Sequence, residues 1–206
     1  MARNTSSLVI DTLRDRASEE NITVACLYCD FPAQKQQTIS NMIGAILKQL
    51  VSTGEVPVYL REALQEGKRE FGDRGPLLAN LIRMLKIAID SRSRVFICID
   101  ALDECLPENL LELLESLGDI VRESPKTRIF LTGRPEVEEV IRRYFTKAVV
   151  IPITPNTGDI RNYLEMRLDR DEDPAAMDND LRADVEKALD GLSDTYVRAL
   201  AFPFYQ

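Results

Sequence analysis

The chain has 206 residues, 45% of them hydrophobic, with 26 Lys and Arg against 34 Asp and Glu and a net charge of −8. That is the length of one domain, or of one domain and a small appendage, with enough apolar material for a core. The acidic balance argues against a general nucleic-acid or anionic-membrane binder, and the absence of histidine removes Ser-His-Asp and Cys-His chemistry.

In chain order, residues 6–17 have helical spacing, with Leu8, Val9, Thr12, Leu13 and Arg16 along one partly buried face. Residues 22–31 read as a buried strand closed by Pro32. Residues 36–51 form an amphipathic helix with Ile39, Met42, Ile43, Ile46, Leu47 and Leu50 on its apolar stripe. A more polar helical stretch follows Pro57 and ends at the breaker Phe71-Gly-Asp-Arg-Gly-Pro76. Residues 77–89 are helical, with Leu78, Leu81, Ile82, Leu85 and Ile89 inward. Val95 to Ile99 are apolar without interruption, the pattern of a parallel strand buried on both faces. Residues 107–122 are a helix with Pro107 at its first position and Leu110, Leu113, Leu114, Leu117 and Val121 in register. A strand at 127–132 follows, then a helix from Pro135 through Tyr144, then a strand at 147–153 that Pro152 ends. Residues 157–169 are an amphipathic helix, the acidic run Asp169-Arg-Asp-Glu-Asp173 a solvated linker, and Leu181–Leu189 a short helix. The apolar and aromatic residues 199–206 are expected to be an exposed stub.

Strands alternating with helices predict an α/β fold, a mostly parallel sheet covered on both faces. The expected division is an α/β core over residues 1–170 and an acidic linker with a short helical remnant over 171–206. No apolar run reaches the roughly 18 residues of a membrane span, and no continuous apolar stretch at the N-terminus suggests a signal peptide. A cytoplasmic location is inferred. The four cysteines, Cys26, Cys29, Cys98 and Cys105, are expected to be reduced, partly buried thiols, since a zinc site would want a second close pair or histidines.

The chemistry-bearing stretch is Arg94-Val-Phe-Ile-Cys-Ile-Asp-Ala-Leu-Asp-Glu104. Asp100 follows the apolar strand directly, and the C-terminal end of a central parallel strand is where open α/β sheets bind ligands. Carboxylates are what Mg²⁺ takes from a protein when substrate phosphates supply its other ligands. Asp103 or Glu104, a few residues on, has the chemistry to orient or deprotonate a water. The second strand ends in a basic residue, Arg134, so two strand ends of opposite charge suit Mg²⁺ and phosphate. The plainer alternative is a solvated acidic turn that opens a helix.

Ile97-Cys-Ile-Asp-Ala-Leu-Asp-Glu104 resembles the Walker B motif of NACHT-type P-loop NTPases of the STAND class, and Phe130-Leu-Thr-Gly-Arg-Pro135 resembles their sensor 1 strand. The resemblance runs from about Ser6 to about Val185 and is strongest to the NACHT modules of large fungal receptor-like proteins, often described as nephrocystin-3-like. It implies ATP or GTP with Mg²⁺ as cofactors. Asp100 would hold the metal, Asp103 or Glu104 would position water, Arg134 would read the γ-phosphate and Thr132 would touch the nucleotide. It also implies a signalling switch that self-associates or works with other domains of a larger protein.

The sequence departs from that family's pattern in having no Gly-x-x-x-x-Gly-Lys-Ser/Thr loop. Gly67-Lys68 is followed by Arg69 and lies in a polar helical stretch. Ser6–Leu13 resembles the helix that follows the loop, which places Met1–Thr5 at the loop's last residues. The expected fold is therefore P-loop-like with its first strand and loop missing and a short helical stub at the C-terminus, with an internal deletion near Glu186. That strand normally lies inside the sheet, so its neighbours are expected either to close up or to keep unpaired edges. Nucleotide binding would then be weak or nil. The alternative function is a non-catalytic α/β interaction module or a truncated gene product.

Overall fold

The computed structural model of the chain describes residues 2–20, 22–52, 77–153 and 197–201, and the single positions 58, 61, 62, 65 and 158. The expected helices at 157–169 and 181–189 and the acidic run at 169–173 lie outside the described residues. Of the polar stretch after Pro57, positions 58, 61, 62 and 65 are helical.

The organising element is the strand β2 (Arg94–Asp100), buried from Val95 to Asp100. It pairs in parallel with β1 (Ile22–Tyr28) on one side and with β3 (Thr127–Gly133) on the other. Strand residues alternate between faces, and so do their partners. Val95, Ile97 and Ile99, with Ala25, Ile129 and Leu131, face the larger core cluster. Phe96 and Cys98, with Ile22, Val24 and Cys26, face the smaller one.

The three longest helices on the larger cluster are α2 (Ile39–Ser52), α3 (Leu78–Asp90) and α4 (Pro107–Glu123). All six apolar residues read along α2 are buried. Each such side chain removed from water contributes about 1.5–3 kcal/mol, which holds α2 to the sheet more firmly than helix propensity would. On α3, Leu81, Leu85 and Ile89 are buried as expected, and Met84 and Ala88 join them. Pro107 opens α4 as expected. The short helix α5 (Glu138–Tyr144) follows a 3₁₀ turn at Pro135–Val137 and buries Ile141. The sheet is thus flanked by helices on both faces, since α1 (Ala2–Glu20) covers the smaller cluster.

Two expectations are corrected. The face that α1 presents is Ile10, Leu13 and Ala17, while Leu8 is exposed. These residues stand three and four apart on one stripe, and the strip they meet, Ile22, Val24, Phe96 and Cys98, is narrow. The second correction concerns the C-terminus. Residues 197–201 form a strand, β5 (Val197–Ala201), between β3 and β4 (Val149–Ile153), where an exposed stub was expected. β5 is antiparallel to both neighbours, with Ala199 opposite Thr132 on one side and Ile151 on the other. The order is β1-β2-β3-β5-β4. Neither a closed gap nor a bare edge is present between β3 and β4, because five residues with unspent N–H and C=O groups meet the same need in two ladders.

β4 is then an edge strand, with Val149 and Ile151 nearly half exposed, and its Pro152 is tolerated there. The opposite edge, β1, is protected by a side chain. Gln49 of α2 donates from Nε2 to the Cys26 carbonyl at 2.7 Å, and the Cys26 N–H donates to Gln49 Oε1 at 2.9 Å. One amide side chain thus stands in for a neighbouring strand at that residue. Among the described residues, no helix is long and apolar enough to cross a membrane.

Candidate functional site

The C-terminal ends of β2 and β3 are adjacent, and every site residue expected from the sequence gathers there. Asp100 ends β2 and is 3% exposed. Thr132, also buried, lies next to it on β3 and donates its hydroxyl hydrogen to Asp100 Oδ1. The same hydroxyl oxygen accepts the Ala101 N–H at 3.1 Å. Among the described residues no ion pair reaches Asp100, so a buried carboxylate has a hydroxyl as its partner and no cation.

The chain turns sharply after Asp100. Ala101 has φ 57° and ψ 50°, and it is the one non-glycine residue with positive φ among those described. A residue with a Cβ held there costs of order 1–3 kcal/mol, and such strain concentrates at functional sites. The turn is held by Thr132 below and by the Glu104 N–H, which donates to the Ala101 carbonyl at 2.9 Å. It leads into a 3₁₀ turn at Leu102–Glu104, with Leu102 buried as its anchor.

That turn aims its two acids at different neighbours. Asp103 Oδ1 accepts the Arg134 N–H at 3.1 Å, and Asp103 Oδ2 meets Arg134 Nε at 3.2 Å. Glu104 Oε2 accepts the Phe31 N–H at 3.0 Å, and the Glu104 carbonyl accepts Gln34 Nε2 at 2.7 Å. Asp103 therefore braces the segment after β3, and Glu104 braces the 3₁₀ turn Phe31–Ala33 after β1. Gly133 leaves room for the turn that follows β3: a Cβ there would lie 2.7 Å from Val137 Cγ2, while Asp103 Oδ1 would stand at an ordinary 3.5 Å.

Phe31 and Gln34 escaped the sequence reading, because a capping contact between positions 70 and more residues apart leaves no local pattern. The thiol pair Cys29 and Cys105 escaped it for the same reason. Their sulfurs are 2.8 Å apart and both residues are buried. The shared hydrogen bond draws the Cys105 thiol below its ordinary value and pushes Cys29 up, burial adding to the rise at Cys29. A depression of about 350 Å³, lined by Arg14, Ile22, Val24 and Gln49 among others, lies along β1 away from the acids.

Among the described residues no three His, Cys, Asp or Glu side chains converge as a protein-only metal cage would need. A Mg²⁺ that shares its shell with phosphates and waters asks for one or two carboxylates, and Asp100 with its neighbouring hydroxyl fits that smaller demand. Residues 4–134, more than half of the chain, match the family described as Nephrocystin 3, N-terminal. No curated protein and no solved structure matches the chain.

Proposed function

Since the chain belongs to the nephrocystin 3 N-terminal family, we propose that it forms part of a NACHT-type, STAND-class signalling module whose Asp100 end faces the Mg²⁺ and phosphates of ATP or GTP. The observation that carries this reading is Asp100 itself, a buried carboxylate without a cation at the end of the central parallel strand. Bound there, Mg²⁺ would neutralise phosphate charge. Asp100 is the metal ligand in this reading, and Thr132, expected from the resemblance to touch the nucleotide, is buried with its hydroxyl taken up by Asp100 and Ala101 and so serves to hold that carboxylate in one orientation.

Arg134 is the mobile partner. Its side chain is 64% exposed while the Asp103 carboxylate it meets is 16% exposed, so a phosphate arriving from solvent reaches the guanidinium and competes for it. When Arg134 moves to the phosphate, Asp103 Oδ2 is released to orient water. Glu104 has the same chemistry but is committed to Phe31, which makes it the positioning residue of the two.

This sequence carries no Gly-x-x-x-x-Gly-Lys-Ser/Thr, and loop amides at a helix N-terminus supply most of the phosphate affinity in such sites. The 206 residues by themselves therefore bind nucleotide weakly and do not turn it over. Self-association, or union with further domains, would complete the module. A second reading, an α/β interaction module without nucleotide, draws support from β5, which fills the sheet interior with an antiparallel strand.

Thermal unfolding in buffer, in Mg²⁺ and in Mg–ATP or Mg–GTP separates the two. A Mg²⁺- or nucleotide-dependent rise in Tm that Asp100→Asn abolishes supports the first reading; at a ligand concentration 100 times Kd the rise corresponds to about 2.7 kcal/mol. Melts that stay superimposable even with Mg–ATP and Mg–GTP raised to millimolar concentration, where the weak binding of the first reading still registers, leave the interaction module.

A further inference from the structure

Beneath the acidic turn lies a pair of sulfurs that nothing in the reading above uses. Cys29 is the first residue after β1, and Cys105 the first after the Leu102–Glu104 turn. They are 76 residues apart in sequence, buried at 3% and 6% exposure, and their sulfurs stand 2.8 Å apart. That is within 1 Å of a disulfide bond, which spans about 2.05 Å. Both are free thiols. A shared metal does not explain the approach, because among the described residues no third ligand joins them.

What the two sulfurs join matters. The Cys29 N–H donates to the Asp100 carbonyl at 2.9 Å. Two residues on, Phe31 holds the Glu104 carboxylate, and Gln34 holds the Glu104 carbonyl. The segment after β1 and the turn that carries Asp103 and Glu104 are thus tied by three hydrogen bonds, one buried between Cys29 and Asp100 and two, to Glu104, nearer the surface. A covalent bond between Cys29 and Cys105 would make that tie permanent.

We propose that Cys29 and Cys105 form a reversible regulatory disulfide, with hydrogen peroxide as the oxidant, that clamps the Asp103–Glu104 turn to the end of β1. Cys105 Sγ attacks one peroxide oxygen; the O–O bond breaks, water leaves with the thiol proton, and a sulfenic acid remains. Cys29 Sγ attacks the sulfenic sulfur; the S–S bond forms, the S–O bond breaks, and the hydroxyl leaves as a second water with the Cys29 proton. Two thiols lose two electrons to one peroxide, and a dithiol reductant returns them by exchange. The other pair, Cys26 and Cys98, sits on the opposite face of the sheet under α1 and joins two strands already paired there, so a bond between them would tie nothing new.

The test is to treat the folded chain with stoichiometric hydrogen peroxide, alkylate the remaining thiols, and map cross-linked peptides without reduction. The expected result is a loss of two of the four thiols, one intramolecular Cys29–Cys105 peptide that dithiothreitol releases, and slower hydrogen exchange over residues 29–38 and 101–106. Cys29→Ser and Cys105→Ser should each abolish the cross-link and the slowed exchange. A cross-link between Cys26 and Cys98 instead, conversion of Cys105 to sulfinic acid without a cross-link, or four thiols intact in the folded chain would each overturn the proposal. The wild-type map decides this even where a Ser variant fails to fold.

Discussion

Thr132 gives its hydroxyl hydrogen to the Asp100 carboxylate and takes the Ala101 N–H on the same oxygen, so one side chain on β3 holds both the acid that ends β2 and the left-handed turn that follows it. Thr132→Val keeps the shape and removes both bonds, leaving a buried carboxylate oxygen and a partly buried N–H without these partners. The expected cost is about 1–3 kcal/mol for each unsatisfied group. Urea unfolding should show a midpoint well below wild type for Val and near it for Thr132→Ser.

Asp100→Asn should change sign with the buffer. Without divalent cation, the substitution removes a buried charge that no cation offsets, keeps an oxygen for Thr132, and is neutral or stabilising. With Mg²⁺ and ATP the wild type should gain stability and the Asn variant should not. A difference between the two proteins that is the same in both buffers would remove Asp100 as a metal ligand.

Asp103 and Arg134 should be unequal partners. Arg134→Ala loses an ion pair that is exposed on the arginine side only and should cost about 1 kcal/mol. Asp103→Ala also strips the Arg134 N–H of its acceptor and should cost about 1 kcal/mol more. Chemical denaturation of both single variants and the double variant checks this. Equal costs would mean that the backbone bond contributes nothing.

Gln49→Leu should uncover the edge of β1. The Cys26 N–H and carbonyl lose their partners, and an unpaired strand edge invites another chain. Stability should fall by about 1–3 kcal/mol, and light scattering should report association that rises with concentration. Gln49→Glu should be intermediate, since a carboxylate accepts from Cys26 but cannot donate to it.

Ala199→Pro should disrupt β5 in the middle. Proline supplies no N–H, and position 199 is paired on both sides, to Thr132 and to Ile151. Both β3 and β4 would then keep a free edge. The expected outcome is a lower Tm with self-association in size-exclusion chromatography. An unchanged melt would mean that β5 contributes nothing to the sheet.

What the sequence by itself determined is whatever has a local period. The stripe of α2 from Ile39 to Leu50, the uninterrupted Val95–Ile99 run, and Pro107 at a helix start each follow from neighbours in the chain, and the structure has them as read. Asp100 beside Thr132 was also legible, because two buried parallel strands carrying such ends have few ways to pair. Only the tertiary structure decided the rest. Which face α1 buries depends on the strip of sheet it meets, and Ile10 rather than Leu8 meets it. That Glu104 holds Phe31, that Gln49 shields Cys26, and that Cys29 meets Cys105 are contacts across 23 to 76 residues, set by where the backbone returns and not by any spacing. β5 is the extreme case. Five residues without a turn signal or a partner pattern become an interior strand because β3 and β4 both present hydrogen-bonding groups that must be met, and a strand of either direction meets them.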